Sequence, residues 1–453
     1  MKNNIYNIER MKLTKKIVPG LALLLTIFSA QAQTRTISLE EAVNMGVQYS
    51  KQLKLDQNKV AQAVSQLDQA KDETMPTVKV SAGYSHALML SRSFALPSDG
   101  SGDPKSMKFP FDNTLYQGTL SINEPIFAQN RFRYAKESAN ILIQSSKLDA
   151  DKDKDEIVYN IIGAYINFYK VQQNLKIVAQ NMEDVDQKLT EIKKFESQGL
   201  ATKNDVLRFQ LEKSNIQIQQ VELEHSRKVV NYNLDILLGL PENTIVQVQD
   251  VVYKLDITEG ADVYMKQALQ DRKEFSSLNY QDKLADINIK KIRDQKLPTL
   301  GVGGNLYYIN PSKALIPKSA TYLAPFVVGI NASWDITGFF KNKNKATEAS
   351  LQKQEVTATR DVITDQVKMD VNRSYTQYQQ TLEKIRLLND AVVQATENER
   401  ITESKFKNNL VTTTDRIEAQ TLLYQSRLNL ELAKADATAA YYTLLKTTGH
   451  IQP

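Results

Sequence analysis

The chain has 453 residues, no cysteine, three histidines and a formal net charge of +5. The missing cysteine excludes disulfides, thiolate metal sites and a lipid-bearing cysteine. His86, His225 and His450 are far apart in sequence and read as solvated or packed imidazoles rather than a catalytic or metal centre.

At the N-terminus, Lys12, Lys15 and Lys16 precede an apolar run from Ile17 to Phe28, and Ala30-Gln31-Ala32 offers small residues for cleavage. This is the pattern of a secretory signal peptide over residues 1–32. The run is too short for a spanning helix, which needs ~20 residues, and no later segment is as apolar. A membrane-embedded part would therefore be built of strands. Residues 1–33 carry five basic residues, Lys2, Arg10, Lys12, Lys15 and Lys16, against Glu9, hence +4 of the +5. The remainder is nearly neutral and makes no case for nucleic acid as a partner.

The rest of the chain reads as two copies of one unit. Thr202, Asp205, Gln210, Tyr232 and Gly239 recur 210 residues later as Thr412, Asp415, Gln420, Tyr442 and Gly449. Upstream, AKDETMPTVKV from Ala70 matches IRDQKLPTLGV from Ile292, with Pro76 opposite Pro298, 222 residues apart. The expected divisions are a first repeat over 33–239, an inter-repeat segment over 240–262, a second repeat over 263–449 and a tail over 450–453.

Each copy opens with a polar helical segment, Leu39 to Glu73 and Tyr264 to Lys296, stopped by Pro76 or Pro298 because proline lacks the amide donor. Period-two alternation follows. Val78, Val80, Ala82 and Tyr84 share one face in TVKVSAGYSH, and Phe326, Val328, Ile330, Ala332 and Trp334 do so in PFVVGINASWD. With Asn113 to Glu124 and Thr299 to Ile309 this predicts four strands of ~10 residues, long enough to cross a tilted bilayer. The segments Leu90 to Asp112 and Ile309 to Thr321 read as exposed loops.

A helix from about Asn130 to Ser197 comes next, on the order of 100 Å at 1.5 Å per residue. It carries two heptad registers, Ile161, Phe168, Leu175, Met182, Leu189 and Ile157, Ala164, Val171, Val178, Val185, Ile192. A weaker register, Val371, Tyr378, Ile385 and Val392, marks a second helix from about Asn342 to Lys407. Returning helices show Phe209, Ile216, Leu223, Val230, Leu237 and Leu423, Leu430, Ala437, Leu444. Sustained heptads mean coiled-coil packing, here as helical hairpins reversing at Ser197 to Ala201 and Asn408 to Val411.

Four spanning strands leave two open edges, and each unsatisfied backbone group in lipid costs several kcal/mol. A closed barrel needs about eight strands or more, so the chain must associate: a trimer gives twelve strands and twelve helical positions, a dimer a narrower eight-stranded barrel.

The signal peptide, the duplicated helix-strand-strand-helix units and the passages GLATKNDVLRFQ and NLVTTTDRIEAQ make the chain resemble the outer membrane efflux protein family, the TolC-type channels, over about 36–449. The resemblance implies a mainly α fold with a small transmembrane β part: a trimer with a twelve-stranded barrel in the outer membrane and a twelve-helix barrel in the periplasm. It further implies docking to a periplasmic adaptor protein and an inner-membrane transporter, in efflux or type I secretion from Gram-negative bacteria, with no chemistry, no cofactor and no nucleic acid. Asn409 departs from the family's glycine, present here as Gly199, yet asparagine also tolerates the left-handed turn. The chain's stop at Pro453 leaves the belt around the helical barrel to come mainly from Leu240 to Asp262.

Several smaller signals have bland readings. GVGG, Gly301 to Gly304, lies in a strand pattern and not before a helix, so close packing in a barrel wall is expected. DADKDKDE, Asp149 to Glu156, lacks the glycine and the final glutamate of a calcium loop and reads as a solvated helix face. The 20 tyrosines have no basic clusters beside them and read as packing residues.

Thr412 with Asp415, and Thr202 with Asp205, have the spacing of helix N-terminal capping boxes. Glu418 has no such duty, since its counterpart is Arg208. In a trimer Asp415 and Glu418 would form carboxylate rings, which select cations and bind divalent ions. In the family, acids matching these two positions line the closed aperture, so the resemblance implies a gate there. Gly199, Leu200, Thr202, Asp205, Asn409, Leu410, Val411 and Thr412 are the expected tip residues for partner contact. The alternative is an exported coiled-coil or adhesin-like protein with the strands in a soluble head. No nucleophile, base and orienting group converge, which argues against an enzyme.

Overall fold

The computed structural model describes residues 35–86, 93–95, 106–108, 114–242, 244–250, 259–309 and 324–452. The signal peptide, most of the two expected loops and part of the inter-repeat segment lie outside them. The first copy starts with β1 (Arg35–Ile37), α1 (Leu39–Tyr49) and α2 (Lys51–Asp72). The strands β2 (Thr77–His86), β3 (Ser93–Ala95), β4 (Ser106–Lys108) and β5 (Thr114–Ala128) follow, then α3 (Arg131–Ser197) and α4 (Lys203–Leu238). After β6 (Val246–Val248), the second copy runs α5 (Ala261–Asp271), α6 (Lys273–Asp294), β7 (Thr299–Ile309), β8 (Phe326–Ser333), α7 (Gly338–Lys407) and α8 (Thr413–Thr448).

The expected single opening helix of each copy is broken into two. Ser50 sits with ψ 117° and its hydroxyl accepts the Leu53 amide at 3.2 Å, which starts α2 afresh. Arg272, at φ −65° and ψ 128°, makes the same break, and its guanidinium is held by Glu274 at 2.7 Å and faces Asp370 at 3.6 Å. Neither residue is a helix breaker by propensity, so the two breaks are tertiary choices. Two further bounds differ: β5 extends to Ala128 through a bulge between Pro125 and Phe127, and α7 begins at Gly338, four residues before Asn342.

α3 and α7, at 67 and 70 residues, run the full length of the helical part. Toward the tips the packing order is α4, α3, α8, α7; toward the strands it is α2, α3, α6, α7. The shorter helices therefore stack end on end, α1 meeting α4 and α5 meeting α8. The heptads face these contacts: Ile161, Phe168, Val178, Val185, Leu189 and Ile192 are buried in α3, and Val371, Tyr378 and Ile385 in α7. Leu237 departs from its register, lying exposed while Leu234 and Leu238 are fully buried. Side by side, the helices form a layer whose edges are α4 and α7. Exposed Leu207, Leu211, Ile218, Val221, Val229, Tyr232 and Ile236 recur along α4, a stripe that none of the described helices covers.

A two-stranded parallel sheet of β1 and β6 lies against the middle of α3. The Tyr165 hydroxyl donates to the Ile37 carbonyl at 2.9 Å, and Ile451 of the tail joins the same core. The outer edge of β6 is satisfied by side chains, Asn231 Oδ1 accepting from the Val246 amide and Gln172 Oε1 from the Val248 amide.

The main sheet is antiparallel, in the order β2-β5-β7-β8, with β2 and β8 as edges. Its register puts Val80, Leu120, Leu306 and Phe326 in one row and Val78, Ile122, Gly304 and Val328 in the next, all on one face. The opposite face carries Ser81, Thr119, Ser121, Asn123, Asn305, Asn331 and Ser333. None of the described residues covers the apolar face, where Val80 is 79% and Ile330 73% exposed. In GVGG, a Cβ at Gly301 or Gly303 would lie 3.3 or 3.1 Å from a backbone carbonyl of the neighbouring strand, Glu124 or Ile122, so these two glycines serve close strand contact. DADKDKDE lies within α3, and its acids are less free than a solvated face implies, since Asp155 pairs with Lys273 and Glu156 with Lys446. Where strands meet helices, Trp334 donates to the Lys296 carbonyl at 2.9 Å and packs edge-on against Phe339, as aromatic residues do at a membrane boundary.

Candidate gate at the helical tips

Both long helices end alike. Gly199 and Asn409 take φ of 74° and 56°. The amides of Leu200 and Leu410 each reach back five residues, to the Phe195 and Lys405 carbonyls at 2.8 and 2.9 Å. This is a Schellman turn, which needs a residue tolerant of the left-handed region. Leu200 and Leu410 stand at the apex, 63% and 72% exposed. Val411 instead packs partly against the apolar cluster beneath the turn, which includes Phe406 and Phe209.

Each return helix opens with a capping box. Asp205 Oδ2 accepts from the Thr202 amide at 2.9 Å, and the Asp205 amide donates to Thr202 Oγ1 at 3.3 Å. Asp415 and Thr412 repeat this at 2.8 and 3.2 Å. Hydrogen bonds from the Thr412 hydroxyl and amide hold the exposed Asp415 carboxyl below the usual carboxylate range. At Asp205 burial pushes upward, but the Thr202 hydrogen bonds outweigh it and the net direction is again down.

Beyond the boxes the two tips diverge. On α8, Arg416, Ala419, Gln420 and Leu423 are buried, while Asp415, Glu418, Leu422, Gln425 and Asn429 are exposed. At ~100° per residue these sets lie on opposite faces. The buried set meets the first hairpin: Arg416 reaches Glu191 on α3, and Gln420 donates to Asn181 at 3.2 Å. Asp415 and Glu418 thus head a stripe turned away from α3 and α4, and no group within the chain pairs with Glu418 among the described residues. Its counterpart Arg208 has a different task, donating to Thr414 Oγ1 at 2.8 Å to tie the start of α4 to that of α8.

One residue escapes a reading by pattern. Arg416 is 2% exposed although arginine is among the least buried residue types. Its Nε and Nη2 donate to Glu403 at 2.7 and 2.8 Å, Nη2 also to Glu191 at 2.5 Å, and the guanidinium lies 4.5 Å from the centre of the Phe406 ring. Burial raises the Glu403 carboxyl, but the Arg416 bonds pull it below its ordinary value. The group locks α3, α7 and α8 together just above the tips, with the Lys188–Glu399 bridge at 2.7 Å beside it. A polar cleft of about 480 Å³ continues above, lined by Asn181, Gln420, Tyr424 and Arg427 among others. The repeat itself holds the signal that could have found Arg416: its counterpart 210 residues earlier is Val206, also buried.

Nucleophile, base and oxyanion donors do not converge in this arrangement. It offers acids on an exposed helix face, apolar tips, two helical edges at α4 and α7 and two strand edges at β2 and β8. The sequence profile described as Outer membrane efflux protein matches residues 45–240 and 264–450. No curated protein sequence matches. Solved structures show the same fold at low identity. The outer membrane protein VceC of Vibrio cholerae superposes with a TM-score of 0.71 at 15% identity, covering 91% of this chain and 96% of its own. For the CmeC outer membrane channel of Campylobacter jejuni the values are 0.68, 14%, 91% and 85%. For the open state of the MtrE outer membrane channel of Neisseria gonorrhoeae they are 0.66, 16%, 91% and 88%. With the profile matched over most of its length, the chain belongs to the outer membrane efflux protein family, whose members are channels of the outer membrane and not enzymes.

Proposed function

We propose that three copies of this chain close into a passive exit duct, in which four strands from each make a twelve-stranded barrel and the helices a periplasmic conduit. The observation that carries this reading is the main sheet. Among the described residues it has two unpaired edges and one largely apolar face that none of them covers. Lipid satisfies the face, and only strands from neighbouring copies satisfy the edges. The helical layer makes the same demand, because the apolar stripe of α4 must meet a different edge, α7, of the next copy. Such a head-to-tail contact closes into a ring. In this duct the stripe headed by Asp415 and Glu418 faces the axis at the narrow end. The tips at Leu200 and Leu410 dock a periplasmic adaptor and an inner-membrane transporter, whose engagement splays the hairpins and opens the aperture.

A soluble adhesin head is disfavoured by the same sheet, since it would leave the apolar face in water. Recovery of the protein from outer membranes as a detergent-resistant trimer is the expected result. A monomer in the soluble periplasmic fraction would contradict the duct.

A further inference from the structure

The two faces of the main sheet differ in charge as well as polarity. On the polar face, which lines the lumen in the proposed trimer, Lys79 is the single charged side chain among the described strand residues. It stands in a row with Ser121, Asn305 and Val327, two residues above the start of β2 and so ~7 Å from the helical part. No carboxylate pairs with it among the described residues. The junction beneath is basic too. Arg131, Arg133 and Lys136 start α3, and Lys341, Lys343 and Lys345 start α7. Three of the acids beside them are engaged, Glu137 facing Arg133 at 3.7 Å, Asp294 accepting from Tyr134 and Asn130 at 2.6 and 2.8 Å and Asp335 accepting the Gly338 amide at 3.3 Å, while Glu124 lies on the opposite face of the sheet, in register with Val302.

We propose that the root of the barrel is an electropositive collar, with a ring of Lys79 side chains on its lumenal wall, that favours anionic solutes. The proposal rests on the trimeric duct and names the class of cargo its outer half prefers. The two ends then carry opposite charge filters in series. The acidic tips favour cations while closed, and once they part the collar is the charge that a departing solute meets. Twelve tilted strands spaced ~4.8 Å apart enclose a barrel roughly 24 Å across. The screening length is ~8 Å in physiological salt and ~30 Å at 0.01 M. The collar therefore acts on small ions in dilute salt, and on larger anions that pass close to the wall.

The test is ion selectivity of single trimers in planar bilayers under a KCl gradient, on an E418Q background that removes one acidic ring. At ~10 mM mean salt, Lys79→Gln lowers the chloride-to-potassium permeability ratio by about twofold or more, and Lys79→Glu carries it further toward potassium. At ~1 M, where the screening length is about 3 Å, the three proteins converge. Equal ratios in all three at low salt would overturn the collar. Because the comparison is made among Lys79 variants sharing one aperture, an error about Glu418 would appear separately, as no difference between E418Q and the unmodified channel.

Discussion

The two helical tips are built from one plan and end with different jobs. Both turn through a left-handed residue, Gly199 or Asn409, and both restart through a threonine-aspartate box. The residues that recur fix the backbone. Those that do not recur, Val206 against Arg416 and Arg208 against Glu418, set the hairpin proposed as the gate apart from its counterpart. Duplication supplies an internal control here, because whatever both copies share cannot by itself explain the gate proposed for one.

The comparison breaks most severely at Arg416. Arg416→Ala leaves Glu191 and Glu403 facing each other without their cation, and a partner removed from a buried ion pair costs about 3 kcal/mol or more. In the other tip Val206→Ala removes only two buried carbons, about 1.6 kcal/mol plus any cavity. Thermal unfolding of the detergent-solubilised protein should show the first loss clearly exceeding the second. Equal losses would mean that the charged cluster adds nothing beyond packing.

A smaller effect concerns the belt. Asp235 is fully buried, its Oδ1 has no hydrogen-bond partner, and burial pushes its carboxyl up to about 6. The folded state thus binds this proton more tightly than the unfolded chain. The contribution of Asp235 to stability is greatest below its unfolded value of 3.8, falls as pH rises through the window up to about 6, and is flat above it. Asp235→Asn keeps an acceptor for Asn231 and removes the cost, so it should stabilise by on the order of 2 kcal/mol at pH 7.5 and much less at pH ~4.5. The position opposite in the repeat is Leu445. A stabilisation that does not vary with pH would refute the assignment.

The capping boxes should behave as equals. Thr202→Ala and Thr412→Ala each remove one cap, about 1 kcal/mol apiece, and unequal losses in melting experiments would show that the tips are not equivalent at the backbone level. The smallest effect is in acid. Asp415 is held below the usual carboxylate range by Thr412, so the box's contribution is present above the unfolded value and is lost only as pH falls through the lower folded one. Block of the channel by magnesium should consequently persist on mild acidification. Its disappearance well above the ordinary carboxylate range would contradict the role of Asp415 in holding the ion.

Heptads, period-two strands and the repeat made the long helices, the four strands and the tip turns legible in the sequence, because each rests on periodic burial or on a residue with special backbone freedom. The breaks at Ser50 and Arg272 were not legible, since common residues end the helix there, where α1 meets α4 and α5 meets α8 within the same copy. Arg416 was missed because a heptad reading assigns charges to the outside, whereas here two glutamates and two phenylalanines pull one inward. Asp415 and Glu418 could be named in advance and, three residues apart, placed on one helical face, but that this face lies opposite the contact with α3 depends on how α8 sits in the layer.

The central claim is that Glu418 narrows and charges the duct, and single-channel recording of Glu418→Ala tests it most directly. The account predicts a higher conductance than the unmodified channel and a higher magnesium concentration for half-block. Conductance and block both unchanged would contradict it, and would return Glu418 to the surface of an ordinary helix.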